Sequence, residues 1–244
     1  MDEKGIIEKA NLMISEGADI LDVGAMSSRP GADVLPVEVE MDRLVMACSI
    51  LRSKFPNVLL SIDTFRLSVM EALVPFGIHL INDISAGKDN EEIWGFAAQH
   101  HLPYVLMHMK GEPSNMASLN QYDDLIADIL DFYIQRVPKI IQAGVKDIIL
   151  DPGIGFAKNI EQNFYLLRHL HLFSLLEFPI LIGLSRKSMI WKTLDITPEE
   201  ALNGTTALHM QALNQGAVIL RVHDVKAARQ TICLWKKLQE PITS

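Results

Sequence analysis

Seven short apolar runs recur along the chain, and each breaks into polar residues before helix-length sequence resumes. Ile20 to Gly24 leads to Ser28, Arg29, Pro30 and Gly31, Leu59 to Ile62 ends in Asp63 and Thr64, and Leu80 and Ile81 end in Asn82 and Asp83. Tyr104 to Met107 meets His108, Ile148 to Leu150 meets Asp151 to Phe156, Ile180 to Leu184 meets Ser185 to Ser188, and Val218 to Leu220 meets Arg221 to Asp224. The runs are continuous rather than alternating, as expected for strands covered on both faces. Strands and helices taking turns along one chain predict parallel β/α units. In a barrel of such units every C-terminal strand end opens on one face, so seven clusters distant in sequence become one pocket.

The 244 residues are close to the ~250 of one (β/α)8 barrel. No linker or low-complexity segment divides them, so a single domain over 1–244 is expected. The first recognisable element is a helix, with Ile6, Ile7, Ala10, Met13 and Ile14 at helical spacing. The expected fold is therefore an α/β TIM barrel with seven strands visible and the first strand missing from this chain. Further helices are expected over 122–143, 161–171, 199–215 and 226–238. A net charge of −8 argues against a nucleic-acid surface. No apolar run reaches membrane-spanning length, and the opening Met1-Asp2-Glu3-Lys4, followed by an amphipathic pattern, leads one to expect no signal peptide. Cys48 and Cys233 stand in no paired or metal-like spacing and read as buried thiols of a reducing, cytoplasmic compartment.

The polar set defines a chemistry. Asp63, Asn82 and Asp151 offer two carboxylates and an amide from three strand ends, which suits a flat heterocycle rich in N–H groups. Each acid alone would equally serve as a helix cap. Arg29, Lys187, Arg221 and His223 gather cationic groups at the same face of an acidic chain, as an anion site requires. Arg29 in a turn-rich loop also suits a solvated cation, and His223 a satisfied buried histidine. Asp151-Pro152-Gly153-Ile154-Gly155-Phe156-Ala157-Lys158 is a glycine-rich turn that matches neither a Walker loop nor a Rossmann fingerprint. Its glycines permit close backbone approach, and Phe156 offers an apolar wall.

In combination these segments resemble dihydropteroate synthase, the pterin-binding barrel family of folate synthesis, from Ala10 to about Val225. The resemblance rests on Asp22-Val23-Gly24 with Ser28-Arg29-Pro30-Gly31, Ser61-Ile62-Asp63-Thr64, Ile81-Asn82-Asp83 and Leu106-Met107-His108-Met109. It continues through Asp151 to Asn159, Ser185-Arg186-Lys187-Ser188-Met189-Ile190 and Arg221-Val222-His223-Asp224-Val225. It implies a transferase, a target of sulfonamides, that condenses 6-hydroxymethyl-7,8-dihydropterin pyrophosphate with p-aminobenzoate to give dihydropteroate and pyrophosphate. It also implies a homodimer and Mg2+. By the same resemblance Asp63, Asn82, Met107, Asp151, Phe156, Lys187 and Arg221 hold the pterin, and Arg29, Arg221 and His223 the pyrophosphate. Ser28, Pro30, Phe156, Lys187 and Ser188 frame the p-aminobenzoate. Lys187, Arg221, Asp63 and Asp151 would carry the catalysis.

Three departures stand out. The family's first strand and its Asn-containing loop, which supplies the Mg2+ ligand, have no counterpart, so no metal ligand is expected within this chain. Met26 stands where glutamate is common, and Trp191 where glycine is common. The alternatives are a non-catalytic or truncated pterin-binding subunit and a pterin-dependent methyltransferase barrel. The methyltransferase would share the Asp/Asn/Asp set but lack Arg29, Lys187 and Arg221-Val222-His223 together.

Overall fold

The computed structural model describes residues 2–26, 35–88, 90–111 and 115–241. Seven strands form one parallel sheet in chain order: β1 (Ile20–Gly24), β2 (Leu59–Asp63), β3 (Leu80–Asp83), β4 (Tyr104–Met107), β5 (Ile148–Asp151), β6 (Ile180–Gly183) and β7 (Ala217–Arg221). Each strand pairs with the next, and no ladder joins β7 to β1 among the described residues. The sheet nonetheless curls until its two edges approach, because Arg221 at the end of β7 bonds Asp22 on β1 and Asp63 on β2.

The helices are α1 (Glu3–Ser15), α2 (Val37–Lys54), α3 (Leu67–Leu73), α4 (Glu92–Gln99), α5 (Leu125–Gln142), α6 (Ile160–Arg168), α7 (Ser188–Leu194), α8 (Leu202–Asn214) and α9 (Val225–Gln239). Local capping decides several starts. Asp124 accepts the backbone N–H groups of Ile126 and Ala127, so α5 begins three residues after the expected 122. Asn159 and Gln162 form a reciprocal capping box, which starts α6 immediately after the glycine-rich turn. The helix expected over 161–171 ends at Arg168, and a tighter 3-10 turn over Leu170–Leu176 follows. None of the described helices is long and apolar enough to cross a membrane.

Two apolar layers result. The larger lies between sheet and helices and includes Leu60, Ile62, Ile81, Tyr104, Leu106, Leu150 and Ile182. The smaller fills the barrel interior with Leu80, Val105, Ile149 and Leu181, and Ile219 packs against it. Side chains two apart on a strand share a face. The residues one step above this interior layer are therefore Asn82, Met107, Asp151, Gly183 and Arg221, and on β2 Asp63 follows Ser61 in the same way. Cys48 is buried as expected, whereas Cys233 lies exposed on α9 because its helix turns that face outward.

Candidate active site

The mouth is organised around one carboxylate that the sequence patterns did not single out. Asp22 and Ser61 are direct partners across β1 and β2. Ser61 donates to Asp22 Oδ1 at 2.6 Å, Asn82 Nδ2 donates to Asp22 Oδ2 at 3.1 Å, and Arg221 Nε donates to the same Oδ2 at 2.6 Å. Arg221 Nη2 also donates to Asp63 Oδ2 at 2.7 Å. Four strands thus meet in a network of three charges and two neutral groups, and charge-assisted bonds of this kind are the strong ones. The Arg221 side chain still has 41% of its surface exposed. Among the described residues no acceptor engages its Nη1, which leaves donors for a ligand.

Asp63 carries the consequence. Burial, and then the neighbouring charge of Asp22, push its pKa up to about 7 against the opposing pull of Arg221.

On the opposite side of the mouth Asp151 is buried, and burial raises its pKa while Lys187 and the Gly153 N–H pull it back. The Gly153 N–H donates to Asp151 Oδ1 at 2.8 Å, which fixes the carboxylate in a tight turn. A Cβ on Gly153, whose φ is +69°, would collide with the His108 carbonyl oxygen, so glycine is required there. The loop carbonyls are drawn inward by side-chain donors. Lys158 Nζ reaches Gly153 O at 3.1 Å and Phe156 O at 3.0 Å, Lys187 Nζ reaches Ile154 O, and the Tyr122 hydroxyl reaches Ala157 O at 3.0 Å. Lys158 Nζ also lies 3.2 Å from His108 Nδ1. Burial and the two nearby ammonium groups lower the His108 pKa to about 2, so the ring is neutral and accepts this bond.

Lys187 stands between these parts. Its Nζ lies 4.5 Å from the Phe156 ring centroid, and burial lowers its pKa to about 8 despite Asp151 nearby. Its placement comes from Arg186, which adopts a left-handed backbone at φ +54°. That strain is held by a bidentate pair to Asp224, at 2.9 and 2.8 Å, and by the Arg186 N–H on Thr205 Oγ1 at 3.1 Å. The next loop is tied in when the His223 N–H donates to Ser185 Oγ at 3.1 Å. The short basic segment thus has a structural half, Arg186, and a half available to chemistry, Lys187.

Met107, Met116, Phe156 and Ala157 form a small apolar cluster beside this polar ring, with Ile84 and Met109 packed against it. Met107 and Phe156 were singled out from sequence. Met116 belongs to a 3-10 turn with no strand or helix pattern to flag it.

Asp63, Asn82, Met107, Asp151, Phe156, Lys187 and Arg221 therefore surround one mouth. His223 is exposed on the loop after β7, and burial and Arg221 both lower its pKa, so it brings an N–H more than a charge. Ser188 is exposed as the first residue of α7. Ser28, Arg29 and Pro30 lie outside the described residues. Asp83 faces the other way: it accepts from the Tyr104 hydroxyl at 2.6 Å and from the Ser85 and Gly87 N–H groups, and so shapes the turn after β3. Buried Glu40 on α2 accepts from Thr64 Oγ1 at 2.6 Å and Arg66 Nη1 at 2.7 Å, which ties the loop after β2 to the helix layer. Trp191 is half-buried against the main core, so an indole is accommodated where the resemblance expects glycine. Among the described residues no group of three or more His, Cys, Asp or Glu side chains is arranged to hold a metal ion.

The same architecture and sequence recur in known proteins. A dihydropteroate synthase from Synechocystis is 42% identical over 238 residues, covering 94% of this chain and 82% of its own length. The crystal structure of the Yersinia pestis dihydropteroate synthase in a sulfonamide complex superposes with a TM-score of 0.91 at 38% identity, covering 96% of this chain and 85% of that one. That of the Thermus thermophilus enzyme in complex with 4-aminobenzoate gives 0.88 at 38% identity, covering 95% and 88%. The family model described as pterin binding enzyme matches residues 1–223. With its polar ring of Asp63, Asn82, Asp151 and Lys187 at the strand ends, this chain belongs to the pterin-binding enzyme family.

Proposed function

We propose that the chain acts as a dihydropteroate synthase, joining 6-hydroxymethyl-7,8-dihydropterin pyrophosphate to p-aminobenzoate. The observation that carries this reading is the convergence of Asp63, Asn82, Asp151 and Lys187 on one mouth beside the Met107–Phe156 wall. Relatives with the same name at about this identity, and a solved relative holding 4-aminobenzoate, support it.

The chemistry follows from charge. The bond between the pterin methylene and the pyrophosphate oxygen breaks, the oxygen keeps the electron pair, and positive charge spreads into the pterin ring. Asp63 and Asp151, acceptors in a partly dry site, stabilise the ring N–H groups as that charge develops. Lys187 donates to the ring edge, and the free donors of Arg221, with Arg29 and the imidazole ring N–H of His223, take the departing oxyanion. Arg221 would also lie against the ring face. The amine of p-aminobenzoate then forms the C–N bond and passes one proton to the released pyrophosphate or to water. It needs orientation more than deprotonation, and Phe156, Lys187, Ser188, Ser28 and Pro30 would supply it.

Mg2+ belongs to this reading as a partner of the pyrophosphate, since Mg2+ commonly takes substrate phosphates with few protein ligands. The described residues do not form a cage for it, and Asp22 and Asp63 are committed to Arg221. An eighth strand belongs to it as well: the edges of β1 and β7, unpaired among the described residues, would each gain a ladder from one further parallel strand, which would complete a (β/α)8 barrel. A homodimer through the C-terminal helices and a cytoplasmic setting complete the proposal. Light scattering of the purified chain tests the dimer.

The decisive experiment incubates the chain with both substrates, with and without Mg2+, and follows dihydropteroate and pyrophosphate together. Equal release of both supports the assignment. Pterin binding without product, restored by an added N-terminal strand and loop, would instead mark the present chain as a pterin-binding portion. No pterin binding at all would overturn the reading.

A further inference from the structure

We propose that Asp22 is a positioning residue that fixes which end of the Asn82 amide faces the mouth, so that the site selects a ligand with a hydrogen-bond donor at that edge. The inference rests on the pterin reading above and deepens it.

An asparagine amide has nearly the same shape in its two orientations, one presenting a carbonyl oxygen and the other an NH2 group. Shape alone does not choose between them. At Asn82 the choice is made by chemistry. Asp22 Oδ2 already takes the Arg221 Nε–H at 2.6 Å, and a carboxylate held against a guanidinium accepts and does not donate. Only the NH2 end of Asn82 can face it, and Nδ2 lies 3.1 Å from Oδ2. Asn82 Oδ1 then turns away from Asp22. Among the described residues no group donates to this oxygen. The Asp22 carboxylate cannot swing, because Ser61 holds its other oxygen at 2.6 Å.

The consequence is a row of acceptors. Asn82 Oδ1 joins the carboxylates of Asp63 and Asp151 around the mouth, with no competing NH2 directed at the ligand in place of the oxygen. A flat ring with N–H and NH2 groups along its edges is matched, and an edge of lone pairs meets oxygens and is rejected. Discrimination of this kind comes mainly from the unpaired polar group left behind by the wrong ligand. Asp22 touches no part of the ligand in this account. It acts through Asn82 and Arg221.

Calorimetric titration with 6-hydroxymethylpterin alone, at several pH values, separates this role from simple charge balance. Asp22→Ala removes the acceptor, frees the amide to turn, and should weaken pterin binding roughly tenfold or more. Asp22→Asn keeps a carbonyl oxygen that Asn82 Nδ2 can bond, and its own NH2 group can donate to Ser61. Affinity above neutral pH should therefore stay within about threefold of the unmodified chain. The same variant should shift the acid limb of binding to lower pH, because the Asp22 charge that raises Asp63 is gone. Thermal melts establish which variants are folded, and the Asp22→Asn expectation stands even where Asp22→Ala is not. A folded Asp22→Asn variant that loses tenfold or more, or Asp22→Ala with unchanged affinity, overturns the proposal. Failure of the unmodified chain to bind the pterin would overturn the functional reading instead.

Discussion

The middle of the sheet and its two edges are built on different terms. β3, β4 and β5 are buried at every position, and their interior side chains below the mouth, Leu80, Val105 and Ile149, are apolar. β1 and β7 are not. Ile20 is 37% exposed and Val218 65%, and the interior of β1 and β2 carries Asp22 and Ser61 rather than hydrocarbon. Apolar burial holds the middle, at about 25 cal/mol for each Å² removed from water. Across the edges the work falls to the Arg221 bonds to Asp22 and Asp63. Non-directional packing tolerates small errors in side-chain position, whereas ion-paired hydrogen bonds demand geometry. The reacting groups therefore sit where non-directional apolar packing on one side meets a polar clasp of fixed geometry on the other.

This contrast should break first in the middle. Leu106→Ala, at a fully buried position, should cost ~2–5 kcal/mol by chemical denaturation, since the site cannot collapse around the cavity. A loss similar to that of a surface substitution would mean the middle of the sheet is not close-packed.

Next in size is the mouth itself. Asp151→Asn keeps shape but loses the charge behind its hydrogen bonds, worth ~1.5–3 kcal/mol, so pterin affinity should drop roughly ten- to a hundredfold. Calorimetry measures this directly, and unchanged affinity would remove Asp151 from the site.

The clasp should reveal itself through pH. Asp63 is raised to about 7 and Lys187 lowered to about 8. Below about 7 Asp63 gains a proton and loses its charged acceptor, and above about 8 Lys187 loses its charge. The profile of kcat/KM should rise into that window and fall beyond it, by about tenfold per pH unit at the limbs. Lys187→Arg should abolish the alkaline limb, because a guanidinium does not titrate there. A profile flat from pH 6 to 9 would contradict both assignments.

The smallest effect belongs to the edge. Val218→Thr should alter stability by no more than ~0.5 kcal/mol, and a loss as large as that of Leu106→Ala would mean that β7 is covered by a partner.

Much of this was legible in the chain. Seven apolar runs became seven parallel strands in order, and Asp63, Asn82, Asp151, Lys187 and Arg221 came together because strand ends in a curled parallel sheet share a face. The strands read as uniformly apolar, yet a period of two divides them inside. Leu80 and Asn82 face the barrel while Ile81 and Asp83 face the helices. Adjacent Asn82 and Asp83 therefore have separate duties, one at the mouth and one in the turn after β3. Arg186 and Lys187 divide in the same way, for a reason the sequence does not contain: Asp224, 38 positions away, takes the guanidinium.

What the sequence by itself determined is the class of fold and the kinds of residue at the strand ends, because hydrophobic periodicity is local and strand polarity follows from it. Only the tertiary structure decided the role of Asp22, whose partners Ser61, Asn82 and Arg221 lie 39, 60 and 199 positions away. Hydrogen-bond partners depend on distance in space to within tenths of an ångström. No local pattern encodes that, so the clasp becomes visible only once the sheet has curled.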